Sequence, residues 1–132
     1  MTLVFDTTAL SRFLDEDQQL IKTVASNQFD RYIIPLATDA EVRYGFMYGS
    51  RELKNLDKYS SIIHELQFEI FCPDQDTSIK YAELVTWARK HGISLSNNDM
   101  WIAATCSQLG GKLVAFDDDY KSLPQISLVD IG

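Results

Sequence analysis

Five acidic side chains occupy positions at which a parallel α/β sheet would bring them together. These residues are Asp6, Glu41, Asp99, Asp117 and Asp119. Asp6 ends the first apolar run of the chain, and Asp117 follows the apolar run Leu113–Phe116. Glu41 and Asp99 lie at the starts of two predicted helices. Strand ends and helix starts meet at one crevice in a doubly wound sheet, so we expect these carboxylates to converge there.

Carboxylates that lie this close together repel one another unless a hard divalent cation is bound between them. Oxygen ligands of this kind suit Mg²⁺ or Mn²⁺. Such ions promote reactions of phosphate esters because they activate water and neutralise developing negative charge. The acids therefore predict a Mg²⁺ or Mn²⁺ site that acts on phosphates. The two histidines, His64 and His91, are predicted to be surface residues without a catalytic role.

Three of the acids also have ordinary structural interpretations. Asp6 would cap the first helix. Glu41 would form a capping box with Thr38, although this role and a metal-facing role can coexist. Asp99 would be the third residue of a helix whose N-cap is Ser96. The acidic run after the fourth strand is by itself typical of a solvated loop, and its middle residue is expected to point outward.

Apolar patterning and turn residues predict alternating strands and helices. Strands are predicted at 2–6, 31–35, 68–72, 112–116 and 126–129. Helices are predicted at 8–14, 16–28, 38–49, 51–66, 74–91 and 96–109. This alternation predicts one domain, 1–132, with a mostly parallel sheet of four to five strands and helices on both faces.

Composition sets further limits. The net charge of −7 argues only weakly against nucleic acid, because the acids of a metal site contribute to it, and it suits a basic partner. Cys72 and Cys106 fit no zinc spacing and are predicted to be buried, reduced thiols. The chain shows neither a signal peptide nor an apolar run of about 20 residues, so we expect a cytoplasmic protein that does not bind membranes.

Four short motifs, in order and over nearly the whole chain, resemble those of PIN domains, specifically the VapC toxins of VapBC toxin–antitoxin pairs. A strand ending in D-[ST]-x matches Asp6–Thr8, and [ST]-x-x-E-x-x-x-G matches Thr38–Gly45. An Asp that opens a helix of the type D-x-x-I-A-A matches Asp99–Ala104. The fourth motif, [ST]-x-[ND]-x-[DE]-F, resembles Ala115–Tyr120. Here alanine replaces the serine or threonine of the motif, and tyrosine replaces its phenylalanine.

The resemblance implies a three-layer α/β/α PIN-like fold and a Mg²⁺- or Mn²⁺-dependent endoribonuclease. It implies a homodimeric toxin that acts on RNA and is held inactive by a cognate VapB-like antitoxin. Asp6, Asp99 and Asp117 would be metal ligands. Glu41 would be a ligand or a water-orienting group, and Asp119 an additional or water-mediated ligand.

Further contacts are predicted from position alone. Residues beside the acidic motifs are candidates for RNA contact: Thr7, Thr8, Arg12, Thr38, Arg43 and Lys121. The apolar cluster Phe46, Met47 and Tyr48 is a candidate antitoxin surface, because one helix cannot bury all three side chains against one sheet. Trp101 lies off the core stripe of its helix, which suits a dimer contact or stacking on substrate.

Two rival classes remain. A PIN-like scaffold would bind RNA or protein without catalysis. A haloacid-dehalogenase-like phosphotransferase would use Asp6 as nucleophile with Thr8 two residues on, but it leaves Glu41 and Asp99 without a role and lacks an obvious catalytic lysine. Metal-dependent cleavage of RNA, with an Asp6→Asn control, discriminates among these classes.

Overall fold

Strands and helices alternate along the chain as predicted. The computed structural model describes residues 1–27 and 29–131. The strands are β1 (Thr2–Phe5), β2 (Arg31–Pro35), β3 (Glu69–Phe71), β4 (Lys112–Val114) and β5 (Ser127–Leu128). The helices are α1 (Thr7–Leu14), α2 (Gln18–Ser26), α3 (Leu36–Tyr48), α4 (Glu52–Leu66), α5 (Gln75–Lys90) and α6 (Asn97–Leu109). A 3₁₀ turn, Asp118–Ser122, lies between β4 and β5.

The five strands form one parallel sheet in the order β3-β2-β1-β4-β5. The central strand β1 pairs with β2 on one side and with β4 on the other, where Phe5 lies beside Val114. The first half of the chain therefore extends the sheet from β1 on one side, through β2 and β3. The second half extends it on the other side, through β4 and β5. In such sheets a crevice opens at the carboxyl ends of the strands where the order reverses, and Asp6 follows β1 at that end.

Helices cover both faces of the sheet, which gives the expected α/β/α layers. Successive side chains of a strand point to opposite faces. Leu3 and Phe5 pack in the core that also contains buried residues of α1, α2 and α4. Val4 packs in the second core, with α5 and α6. None of the described helices has the length and apolar character needed to cross a membrane.

The close pairing of β1 and β4 depends on a glycine. A Cβ atom at Gly111, just before β4, would lie 2.9 Å from the carbonyl oxygen of Thr2. Contacts that short are not tolerated, so a larger residue would push β4 away from β1. The glycine thus keeps the two strands, and the acids that follow them, in register.

Helix α3 begins two residues earlier than predicted, at Leu36 rather than Thr38. Its N-cap is Pro35, which makes no side-chain capping bond. The Thr38 hydroxyl instead donates to the carbonyl oxygen of Phe5 at 2.9 Å and is fully buried. The predicted capping box between Thr38 and Glu41 is therefore wrong, because Thr38 ties α3 to the end of β1.

A buried polar network joins α3 to α4. Asp39 is only 7% exposed and accepts a hydrogen bond from the Tyr59 hydroxyl at 2.9 Å. Arg43 Nε lies 3.0 Å from both Asp39 carboxylate oxygens, and its guanidinium lies 5.6 Å from the centre of the Tyr59 ring. Burial raises the pKa of Tyr59, and the bond to Asp39 adds to this shift. The arginine balances the charge of Asp39, so this network is electrostatically complete in itself.

Other departures from the predictions are local. Cys106 is buried, and burial raises the pKa of its thiol to about 12, but Cys72 is exposed because it follows the edge strand β3. Strand β4 ends at Val114, and the 3₁₀ turn was not predicted. Helix α2 begins at Gln18, after an Asp17 cap that accepts from the Leu20 N–H. The predicted end of this helix, at residue 28, lies outside the described residues.

Candidate metal and catalytic site

Asp6 lies at the centre of the candidate site. It follows β1 directly, its N–H donates to the carbonyl oxygen of Val114, and it is 4% exposed. Its Oδ1 accepts a hydrogen bond from the Ala9 N–H at 2.8 Å, which makes Asp6 the N-cap of α1. The capping interpretation is confirmed, but this bond involves only one of the two carboxylate oxygens.

Three other carboxylates act electrostatically on Asp6. The pKa of Asp6 is raised to about 6, mainly by burial and in smaller part by the negative charges of Asp99, Asp117 and Glu41, while the hydrogen bond from Ala9 opposes the shift. Like charges have this effect only over short distances. The structure therefore brings together four of the five acids singled out in the sequence: Asp6, Glu41, Asp99 and Asp117. We refer to them as the acid cluster.

Glu41 is held by a neighbour that the sequence had suggested for RNA contact. The Thr7 hydroxyl donates to Glu41 Oε1 at 2.9 Å, which links the start of α1 to α3. Both residues are half-buried. Thr7 therefore orients an acid of the cluster. Thr8, the next residue, is exposed.

Asp99 is the third residue of α6, and Ser96 is the N-cap, as one interpretation of the sequence predicted. The Ser96 hydroxyl oxygen accepts from the Asp99 N–H at 3.1 Å, which leaves the Asp99 carboxylate unused by the cap. That carboxylate accepts a hydrogen bond from Tyr120, whose hydroxyl lies 3.0 Å from Asp99 Oδ1. Burial raises the pKa of Tyr120, and Asp99, Asp6 and Asp117 add to the shift. Sequence reasoning missed this contact, although Tyr120 had stood out as a departure from the motif.

The acidic run after β4 divides into three roles. Asp117 caps the 3₁₀ turn, since its Oδ1 accepts from the Asp119 N–H at 2.9 Å. Asp118 points outward, as expected, and forms an ion pair with Lys121 at 2.9 Å. Asp119 is exposed and is not among the acids that shift the pKa of Asp6. We therefore leave Asp119 out of the acid cluster, and its part in metal binding stays a prediction.

The donor set of the acid cluster suits a hard divalent cation, because every candidate ligand is a carboxylate oxygen. Within residues 1–27 and 29–131, no three His, Cys, Asp or Glu side chains lie close enough to hold an ion as they stand. Binding would require the carboxylates to turn towards one another.

The basic side chains predicted to touch RNA differ in their surroundings. The Arg12 guanidinium lies 4.1 Å from the centre of the Phe116 ring, directly before Asp117 in sequence. All three bases have acidic partners: Arg12 lies 4.0 Å from Asp17, and Arg43 and Lys121 lie 3.0 and 2.9 Å from Asp39 and Asp118. Thr38 is buried at the end of β1, so it does not present its hydroxyl to a substrate.

The apolar cluster on α3 is partly core and partly surface. Phe46 is half-buried and packs edge-on against Tyr59, with ring centres 5.8 Å apart. Met47 is 68% and Tyr48 83% exposed. Together with the exposed Tyr44 and Leu53, they form what we call the α3–α4 apolar surface.

Trp101 on α6 is half-buried and stacks on Tyr81 of α5, with ring centres 4.3 Å apart. The stack fills the space between the two helices.

Comparison with known proteins agrees with this fold. The chain belongs to the PIN domain family, which matches residues 3–126. Within that family it is similar to VapC ribonucleases. Ribonuclease VapC4 of Mycobacterium tuberculosis is 28% identical over 98 residues, covering 74% of this chain and 75% of VapC4. Ribonuclease VapC5 of the same organism is 25% identical over 117 residues, covering 84% and 87%.

A solved structure gives the same fold. A chain in the crystal structure of VapBC2 from Rickettsia felis, bound to a DNA fragment from its promoter, superposes with a TM-score of 0.85. The alignment covers 97% of each chain at 21% identity. The five-stranded parallel sheet with helices on both faces is therefore the PIN fold.

The raised pKa of Asp6 gives a pH-dependent prediction. Its folded-state value of about 6 exceeds the ordinary 3.8, so the folded protein retains a proton that the unfolded chain releases. This stabilisation is complete below about pH 4 and is lost as the pH rises through about 6. Without metal at pH 8, Asp6→Asn is expected to exceed the wild type in free energy of unfolding by up to roughly 3 kcal/mol, since Asn caps helices as well as Asp.

Urea unfolding in chelator from pH 4 to pH 8 measures this difference. It is expected to shrink as the pH falls and to disappear near pH 4. Asp118→Asn, which changes an exposed acid in an ion pair with Lys121, serves as the control. If the difference in free energy of unfolding between Asp6→Asn and wild type stayed constant across this range, the stabilisation would not arise from titration of Asp6.

Proposed function

We propose that this PIN domain is a Mg²⁺- or Mn²⁺-dependent endoribonuclease and serves as the toxin of a toxin–antitoxin pair. The observation that carries the proposal is the acid cluster, in which a buried Asp6 lies among three other carboxylates at the sheet crevice. The similarity of the chain to proteins named VapC ribonucleases supports RNA as the substrate. The haloacid-dehalogenase-like class gives Glu41 and Asp99 no role, and a non-catalytic scaffold would tolerate loss of acids, whereas all four are present.

Each acid has a defined part in this proposal. Asp6, Asp99 and Asp117 would hold the cation. A bound cation would lower the pKa of water and offset the charge that develops on the phosphate. Glu41, oriented by the Thr7 hydroxyl, would bind the cation or hold the attacking water and accept its proton. Asp119 would be an additional or water-mediated ligand.

RNA reaches an acidic site more readily if a positive charge lies beside it. Of the three bases suggested by the sequence, Arg12 contacts the ring of Phe116, the residue directly before Asp117 of the cluster. It would bind a phosphate next to the bond that is cleaved, which positions the strand without reading its sequence. Thr8, exposed on the same helix, could add a hydrogen bond.

A VapB-like antitoxin fits the surface beside the site. A groove between α1, α3 and α4 begins at Glu41 and continues past Gly45, where a Cβ atom would meet nothing within 4 Å. Tyr44, Met47 and Tyr48 of the α3–α4 apolar surface lie on α3, one of the helices that line this groove. An antitoxin segment with apolar anchors and a basic residue would match both the apolar surface and the acid cluster. The similarity to a chain of a VapBC complex supports this class of partner.

The test of catalysis is cleavage of total cellular RNA by the purified protein, followed by mapping of the new ends. Cleavage is expected with Mg²⁺ or Mn²⁺, is expected to stop in EDTA, and should return with excess Mn²⁺. Unchanged cleavage in EDTA would contradict metal dependence. Absence of cleavage with either ion would favour the non-catalytic scaffold.

A further inference from the structure

We propose that Tyr120 is a positioning residue that holds the Asp99 carboxylate in the orientation needed to bind the cation. The inference rests on the proposed metal-dependent function. Its basis is the hydrogen bond from the Tyr120 hydroxyl to Asp99 Oδ1, 3.0 Å long, in a residue whose side chain is fully buried. A bond to one oxygen restricts rotation of the carboxylate and leaves the second oxygen for a ligand.

The position of Tyr120 in the chain makes it a link between two acids of the cluster. It is the buried residue of the 3₁₀ turn that Asp117 caps, and it packs with Leu123 and residues of α6 in the second core. Its N–H also donates to the carbonyl oxygen of Asp117, at 3.4 Å. The turn that carries Asp117 is thus fixed to Asp99 through one side chain.

The hydroxyl is the chemically important part of this residue. The fourth motif of the family has phenylalanine here, which would fill the same space in the core without a donor. A buried phenol is expensive unless its O–H finds a partner, and the partner here is an acid of the cluster. A hydrogen bond from an uncharged donor also stabilises the negative charge of Asp99. Groups that orient metal ligands in this way affect metal affinity strongly.

The chain contains a matched control for a merely structural role. Tyr59 is also buried, 1% exposed, and its hydroxyl also donates to an aspartate, Asp39 Oδ1, at 2.9 Å. Asp39 is paired with Arg43 and does not contribute to the pKa shift of Asp6. Tyr59→Phe therefore removes the same kind of bond from a place where no metal is proposed.

The experiment measures Mn²⁺ affinity by electron paramagnetic resonance, with RNA cleavage and melting temperature alongside. Tyr120→Phe is expected to bind Mn²⁺ about 10- to 100-fold more weakly than wild type. Its kcat is expected to fall while its KM for RNA stays constant. Tyr59→Phe is expected to lower the melting temperature but to bind Mn²⁺ as tightly as wild type.

A double-mutant cycle with Asp99→Asn separates positioning from general destabilisation. If Tyr120 acts through Asp99, adding Tyr120→Phe to Asp99→Asn causes no further loss of Mn²⁺ affinity. An equal loss in both backgrounds would overturn the inference, as would wild-type affinity in Tyr120→Phe itself. Failure of the wild type to bind Mn²⁺ would instead overturn the proposed metal dependence, and this inference with it.

Discussion

Asp6→Asn and Asp117→Asn are each expected to reduce RNA cleavage by at least about 100-fold, the size of loss seen when one group that stabilises transition-state charge is removed. Each substitution removes a negative charge from the acid cluster and so weakens its hold on the cation. Both proteins should stay folded, because Asn retains the side-chain oxygen that caps α1 or the 3₁₀ turn. Cleavage rates at saturating Mn²⁺, with circular dichroism as a check of folding, give the result.

Neighbouring residues provide the controls. Asp118→Asn changes the residue next to Asp117, whose side chain pairs with Lys121, and is expected to cleave normally. His64→Ala and His91→Ala are also expected to cleave normally, since both histidines are exposed and His91 stacks on Trp87 with ring centres 3.9 Å apart. Loss of cleavage in a histidine variant, with activity kept in Asp6→Asn, would contradict the mechanism.

Met47→Asp is expected to weaken inhibition by the antitoxin by about 30-fold, which corresponds to a loss of about 2 kcal/mol at an interface anchor. Met47 is 68% exposed on the α3–α4 apolar surface, so a charge there leaves the core intact but disrupts apolar contacts with a partner. Phe46 is unsuitable for this test because it packs against Tyr59. Cleavage by the free toxin is expected to be unchanged.

The measurement is RNA cleavage by wild type and variant, each titrated with the cognate antitoxin. Ile79→Asp introduces the same charge at a side chain that is 51% exposed on α5 and is expected to be inhibited like the wild type. Equal inhibition of Met47→Asp and wild type would remove the α3–α4 apolar surface from the antitoxin interface.

The sequence predicted the acid cluster because strand order and strand ends follow from short, readable patterns. Asp6 and Asp117 follow apolar runs, and adjacent parallel strands end at the same edge of a sheet. The exact extent of helices was less predictable, since the hydroxyl that suggested a cap at Thr38 binds the backbone of β1 instead. A hydroxyl bonds whichever acceptor the fold places nearby, and a single sequence does not reveal that acceptor.

Contacts between distant residues were the least predictable. The bond from Thr7 to Glu41 spans 34 residues, and that from Tyr120 to Asp99 spans 21. Local partners were visible in principle, because Arg43 follows Asp39 by four positions on a helix. The roles of the acids, the homodimer and the RNA contacts stay predictions.

The central claim is that the acid cluster binds the cation with which the protein cleaves RNA. The most direct test is the anomalous diffraction of Mn²⁺ in crystals of the active protein. The expected result is a peak between Asp6, Asp99 and Asp117, in contact with carboxylate oxygens, that is lost in Asp99→Asn. A protein that cleaves RNA with Mn²⁺ while its crystals show the ion only elsewhere would contradict the claim.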